Sequence, residues 1–108
     1  MSAKPVECPY YAVIFTSLRD EQDDGYEQTA ERMLELAKQQ EGFLHVDSVR
    51  EGGLGITVSY WRDLAAIKNW QQQAEHLQAQ RQGREKWYSA YRVRICKVEQ
   101  EYAFEALI

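Results

Sequence analysis

The side chains best suited to chemistry gather after residue 59: Trp61, Trp70, His76, Arg84, Trp87 and Tyr88. Histidine gains and loses a proton closest to neutrality, so His76 is where proton transfer would sit. On a straight helix, six positions after Trp70 places His76 about 120° round from it. The imidazole then stands at the edge of an apolar stripe, able to border a cavity while keeping a polar partner. The same residues also have purely structural readings. His76 could bond a backbone carbonyl or a tyrosine and hold a helix break at Gly83. The aromatic rings could be core, and Arg84 could cap helix carbonyls or pair with a carboxylate across a dimer.

Other chemistries fall away on spacing and charge. Asp20, Gln22, Asp24, Gly25 and Glu31 overlie a calcium-loop template, but a glutamine replaces one Asp or Asn ligand and Glu27 stands where the loop wants an apolar residue. A strand precedes the segment where the motif needs a helix. A capping box, with Asp24 as N-cap and Glu27 as its partner, accounts for these acids more simply. Cys8 and Cys96 form no CxxC pair, which removes zinc knuckles and thioredoxin-like redox chemistry; free thiols are expected. Gly52-Gly53-Leu54-Gly55 leads into a strand instead of a helix N-terminus, so it is no phosphate loop. No metal site is expected. Arg81, Arg84, Lys86, Arg92, Arg94 and Lys97 form a basic cluster, but the net charge is −4 and the pI about 5.2, which argues against nucleic acid. No apolar run is long enough to cross a membrane, and no apolar run precedes the first strand as a signal peptide would, so a cytoplasmic protein is expected.

The elements that must position these residues are legible in the patterning. Residues 10–18 are rich in β-branched and aromatic types and are apolar in both phases, the mark of a central strand covered on both faces. Tyr26, Ala30, Met33, Leu34 and Ala37 recur at helical spacing, with Glu31, Glu35 and Lys38 outside and Gly42 as the expected stop. Strands follow at 43–50 and 54–61, joined by a Gly-Gly turn into a hairpin. Asp63 then caps a second helix, with Leu64, Ile67, Trp70, Ala74 and Leu77 on one stripe and glutamines on the wet side. Gly83 is expected to interrupt it, with another helical turn or two over 84–90. A fourth strand follows at 91–99, whose apolar phase changes after Ile95 and suggests a bulge. The tail stays apolar at Tyr102, Phe104, Leu107 and Ile108, as if to cover something.

With 44% hydrophobic and 28% charged residues, the 108-residue chain suits one globular core, and a single domain over 1–108 is expected. The order β-α-β-β-α-β predicts an α+β, ferredoxin-like split-βαβ sheet with both helices on one face. Because the strands carry apolar groups on both faces, the helix-free face is expected to be buried in a homodimer.

The segments Tyr11-Ala12-Val13-Ile14-Phe15, Gly42-Phe43-Leu44, Ser59-Tyr60-Trp61, Trp70 with Glu75-His76, Gly83-Arg84 with Trp87-Tyr88, and Val98-Glu99 with Tyr102 resemble the antibiotic biosynthesis monooxygenase family. The resemblance covers about residues 10–104 and implies a dimeric α/β barrel. It implies oxygen chemistry without metal or flavin, since a deprotonated electron-rich phenol can react directly with O₂. No cofactor is then expected, and the partner is a small aromatic or quinol-like ligand. On that resemblance His76 is the base, Phe15, Trp61, Trp70, Trp87 and Tyr88 line a flat aromatic pocket, and Arg84 pairs with a substrate anion. A non-catalytic dimeric module that binds a small ligand or a partner is the competing expectation. The family's haem-degrading branch carries an Asn on the first strand and a His near the place of Gln80. This chain has neither, although Trp70 matches that branch's Trp, and His45 on the second strand does not repair the difference.

Overall fold

The computed structural model describes residues 6–20 and 25–107. In chain order it contains β1 (Tyr10–Arg19), α1 (Tyr26–Lys38), β2 (Phe43–Glu51), β3 (Leu54–Trp61), α2 (Leu64–Gln71), α3 (Ala74–Gln82), a π-helical turn (Gly83–Trp87) and β4 (Tyr88–Val98). The strands form one sheet in the order β2-β3-β1-β4, with every neighbouring pair antiparallel. This is the expected ferredoxin-like α+β arrangement, with β1 central and the second helical connection in several pieces.

Strand periodicity assigns the two faces. Tyr11, Val13, Phe15 and Ser17 of β1 pair with Trp61, Ser59, Thr57 and Gly55 of β3 and turn toward the helices. Ala12, Ile14, Thr16 and Leu18 pair with Tyr60, Val58, Ile56 and Leu54 and turn the other way. On the helix side, Leu36, Ala37, Trp61, Ala66, Ile67 and Trp70 make the buried core, with Tyr11, Val13, Met33 and Phe43 packed against it. Trp61 is 0% exposed. Its ring meets Phe43 edge-on at 5.4 Å and lies nearly parallel to Trp70 at 6.2 Å, while its Nε1–H donates to Ser59 Oγ at 2.9 Å.

Several local expectations are corrected. α1 ends at Lys38, with Gln39 as its cap, before Gly42 is reached. Gly42 instead lies at φ +87, where a Cβ would stand 2.6 Å from that of Ala66, so glycine lets β2 start hard against α2. Asp24 lies outside the described residues; the N-cap of α1 is Gly25. The second helix breaks at Gln72–Gln73 and not at Gly83. Gln73 is extended, and its side chain accepts the backbone N–H of His76 at 2.9 Å, a local bond that competes with continuing the helix. Gly83 stays helical at φ −58 and is buried, because a Cβ there would stand 2.7 Å from the ring of Tyr88. Tyr88 opens β4, where a continuing helical turn was expected.

The phase change in β4 is no bulge. The β1–β4 register runs unbroken from Tyr10–Val98 to Leu18–Ala90, and the irregularity falls between Leu18 and Arg19, at the other end of the strand. Tyr91, Val93 and Ile95 carry the helix-side phase, while Cys96 and Val98 carry the open side. The helix-free face therefore presents Leu18, Leu54, Ile56 and Val49, all exposed. Beyond β4 the tail is anchored by Glu101, whose carboxylate accepts Val6 N–H at 2.6 Å and the Tyr10 hydroxyl at 2.8 Å. Tyr102, Phe104 and Leu107 past that anchor are almost fully exposed. Among the described residues, no helix is long and apolar enough to cross a membrane.

Trp61 is the centre of this core. Trp61→Ala is expected to cost about 3–5 kcal/mol, read as a lower urea midpoint at unchanged slope.

Candidate functional site

A cavity of about 240 Å³ lies between the helix side of the sheet and the helical layer. Its floor comes from Val13 and Phe15 of β1, Val46 and Ser48 of β2, Thr57 and Ser59 of β3, and Tyr91 and Val93 of β4. Its roof comes from one stripe of α1 (Tyr26, Ala30, Met33, Leu34, Ala37), from Trp70, from His76, Ala79 and Gln80 of α3, and from Trp87. The walls are mostly carbon and aromatic ring, with few polar groups. A bidentate Arg32–Glu75 pair, at 3.0 and 3.1 Å, clips α1 to α3 on the outside.

His76 reaches the cavity by a route that a straight helix would not permit. The break at Gln72–Gln73 brings its ring flat against Trp70, with centroids 4.2 Å apart and planes 13° from parallel. Its Nδ1 stands 3.0 Å from the Trp70 carbonyl. A carbonyl only accepts, so Nδ1 carries the proton, and in the neutral ring Nε2 is left with the lone pair. Nε2 has no protein hydrogen-bond partner among the described residues. Burial lowers the His76 pKa from its usual 6.5, outweighing the opposite pull of the Trp70 carbonyl, so the ring is neutral at about pH 7. The arrangement is that of a poised base: one nitrogen tied, the other an acceptor at a largely apolar cavity.

A second polar group borders the same space. The Tyr26 hydroxyl accepts from Arg50 Nη2 at 3.1 Å and from the Tyr88 hydroxyl at 3.3 Å. Arg50 is itself held by bonds to Ser17 Oγ (3.0 Å) and the Gly53 carbonyl (3.1 Å). It occupies room that Gly55 leaves, where a Cβ would collide with the guanidinium. Tyr88 packs edge-on against Tyr26 and Phe15. Burial first, and then the bond to Tyr26, push the Tyr88 pKa up, which keeps its phenol protonated.

Of the residues expected at the site, Phe15, Trp70, His76, Trp87 and Tyr88 line the cavity. Trp61 and Arg84 are not among its lining residues. Trp61 is sealed beneath Trp70 and Phe43 and supports the wall from behind. Arg84 is exposed, and its Nη1 donates to the Tyr91 hydroxyl at 3.2 Å, because the π-helical turn carries it outward. His45 lies on the other face of the sheet, stacked on Tyr60 and bonded to Asp47 at 2.9 Å. Sequence reasoning missed Tyr26 as a site residue, reading it as part of a core stripe. The available signal was its hydroxyl, since a tyrosine on a buried stripe needs a polar partner. Arg50 sits on β2 among polar neighbours and offered no such signal. Cys8 and Cys96 are free thiols. Among the described residues, no group of three or more His, Cys, Asp or Glu is placed to hold a metal ion.

A sequence model of the antibiotic biosynthesis monooxygenase family matches residues 9–82. The chain belongs to that family. A relative in Bacillus subtilis (strain 168), the uncharacterized protein YqjZ, is 52% identical over 104 residues, spanning 95% of this chain and 91% of its own. Among solved structures, Rv0793 from Mycobacterium tuberculosis superposes with a TM-score of 0.76 at 15% identity, over 87% of this chain and 99% of that one. SnoaB, a cofactor-independent oxygenase from Streptomyces nogalater, superposes at 0.74 with 15% identity, over 87% and 97% of the two chains. At such identities these two structures show a common fold. This antibiotic biosynthesis monooxygenase family member shares with them the four-stranded sheet that frames its cavity.

The neutral, buried His76 has a consequence for stability. Its folded pKa lies below the unfolded value near 6.5, so the unfolded chain takes up this proton first as the pH falls. The stabilisation is complete above about pH 6.5 and is lost as the pH drops through the interval down to the folded pKa. Urea unfolding across acidic pH is expected to show this decline in the wild type and a shallower one in His76→Phe. Proton NMR titration should place His76 below an unfolded histidine.

Proposed function

We propose that the protein is a monooxygenase that oxidises a small aromatic or quinol-like phenol with O₂, with the substrate itself as the source of electrons. The observation that carries this is His76, its Nδ1 tied to the Trp70 carbonyl, set into an aromatic cavity of about 240 Å³. That volume is just under the ~300 Å³ at which drug-sized pockets begin, so it suits one or two fused rings. His76 Nε2 takes the phenol proton. The phenolate passes one electron to O₂, and the resulting superoxide and phenoxyl radical join at a hydrogen-bearing ring carbon ortho or para to the oxygen. Protonation gives a hydroperoxide; its O–O bond then breaks with loss of that carbon's hydrogen, releasing water and leaving a second carbonyl. One phenol and one O₂ thus give one quinone and one water. Dry walls favour the electron transfer by sparing the anion a hydration shell, and Phe15, Trp70, Trp87 and Tyr88 hold the ring flat.

The working unit in this proposal is a homodimer that buries the open sheet face. Leu18, Leu54, Ile56 and Val49 make that face apolar, and the exposed Tyr102, Phe104 and Leu107 lie on the tail anchored at Tyr10, the first residue of β1. The two free thiols, one of them exposed, suit a reducing cytoplasm.

Oxygen uptake with a panel of hydroquinones and naphthols tests the activity. Wild type is expected to consume O₂, with His76→Ala reducing kcat/KM about 10²–10⁴-fold. Uptake by neither protein, alongside ligand binding, would instead make the chain a non-catalytic binding module. Sedimentation at micromolar concentration is expected to show a dimer, and Ile56→Asp a folded monomer.

A further inference from the structure

The hydroxyls of Tyr26 and Tyr88 leave one proton without an acceptor. Between them the two phenols carry two O–H protons, and one of these makes the 3.3 Å bond that joins them. Arg50 Nη2 donates to the Tyr26 oxygen at 3.1 Å and offers nothing that could accept. Whichever tyrosine donates to the other, the remaining proton has no protein acceptor among the described residues. Both tyrosines line the cavity, beneath a ring of Phe15, Trp87 and Tyr91.

Other hydroxyls on the lining also take part in bonds: that of Tyr91 accepts from Arg84 at 3.2 Å at an exposed position, where water can take its proton. The hydroxyls of Ser48 and Thr57 bond each other at 2.8 Å at an exposed edge, where water can serve them. Ser59 Oγ receives the Trp61 indole at 2.9 Å and keeps its own proton to donate. His76 offers a lone pair and so cannot serve an acceptor while neutral. The tyrosine pair is therefore a part-buried donor backed by Arg50, in a cavity where His76 is an acceptor.

We propose that Tyr26 and Tyr88, positioned by Arg50, form the subsite for a hydrogen-bond-accepting oxygen on the ligand: an aryl ketone, a quinone carbonyl or a phenolate. This rests on the cavity being the site of an aromatic substrate, and it deepens that reading by defining the substrate. The ligand carries one oxygen with a proton for His76 to remove and a second oxygen that accepts from the tyrosines. Arg50 adds positive charge behind Tyr26, so the subsite strengthens as charge builds on the bound oxygen. Arg50 acts through Tyr26 and is a positioning residue.

The test is binding, without turnover. 1-Tetralone and tetralin have the same fused-ring frame and differ in one carbonyl. Both are titrated into the full-length protein, with quenching of tryptophan fluorescence as readout, since Trp70 and Trp87 line the cavity. The double variant Tyr26→Phe/Tyr88→Phe keeps both rings and removes both donors. It is expected to weaken 1-tetralone about tenfold and to leave tetralin unchanged. Gly55→Ala, which displaces Arg50, is expected to weaken 1-tetralone selectively by a smaller factor. Equal losses for both ligands, no loss for either, or no binding of 1-tetralone to the wild type would each overturn the assignment. Selectivity found without any O₂ uptake would end the monooxygenase reading and leave this subsite standing. Uptake without the selectivity would do the reverse.

Discussion

The Trp70 carbonyl is the point on which the site turns. Where a helix would spend that oxygen on one N–H four residues on, here the chain stops, and the carbonyl receives the His76 imidazole and the Gln73 N–H at 3.0 and 3.1 Å. The break, the ring stack and the choice of tautomer are one event seen three ways. Gln73 completes it by accepting the His76 N–H, so that the first turn of α3 is capped by the extended residue that separates it from α2. With Nδ1 committed to a carbonyl and the ring sandwiched against Trp70, the imidazole has little freedom to rotate. An imidazole held in this way needs no reorganisation before it accepts a proton.

Behind that contact runs a ladder of rings, Phe43 to Trp61 to Trp70 to His76. Trp61 never meets the cavity, yet it sets the height of Trp70 and through it the position of the imidazole. Tyr26 and Tyr88 are supported differently, by charge and hydrogen bonds. Arg50 reaches past the side-chain-free Gly55 to hold Tyr26, and the Arg19 guanidinium lies 3.8 Å over the ring of the same tyrosine. The cavity thus has an acceptor positioned by aromatic packing and a donor positioned by cations, with apolar walls elsewhere.

The sheet explains why one small domain can carry two apolar surfaces with different uses. Alternation sends Val13 and Phe15 to the cavity and Ile14 and Leu18 to the open face, so each strand faces a cavity and an exposed apolar layer at once. β4 does the same, and for that reason its apolar phase changes without any disturbance of register. Both phases are useful in a regular strand with apolar neighbours on both sides.

Strand periods, the Gly-Gly hairpin, the α1 stripe and the order of elements were all set by local pattern, and they were legible because burial imposes a period of two or 3.6 on any chain. Five of the seven expected site residues, Phe15, Trp70, His76, Trp87 and Tyr88, meet at the cavity for the same reason: large rings on covered faces have few other places to go. Tertiary structure decided the rest. Gly83 looked like a helix breaker but is a place where Tyr88 comes close, and Gln73, one of three consecutive glutamines, turned out to be the breaker. Trp61 and Arg84 were drawn to the site by type and sent elsewhere by the depth of one and the outward turn of the other. Tyr26 gained its partners from β2 and β4, far away in sequence. Spacing along a chain reports which face a side chain takes, while the group that its polar tip meets depends on elements that only the packed fold brings together.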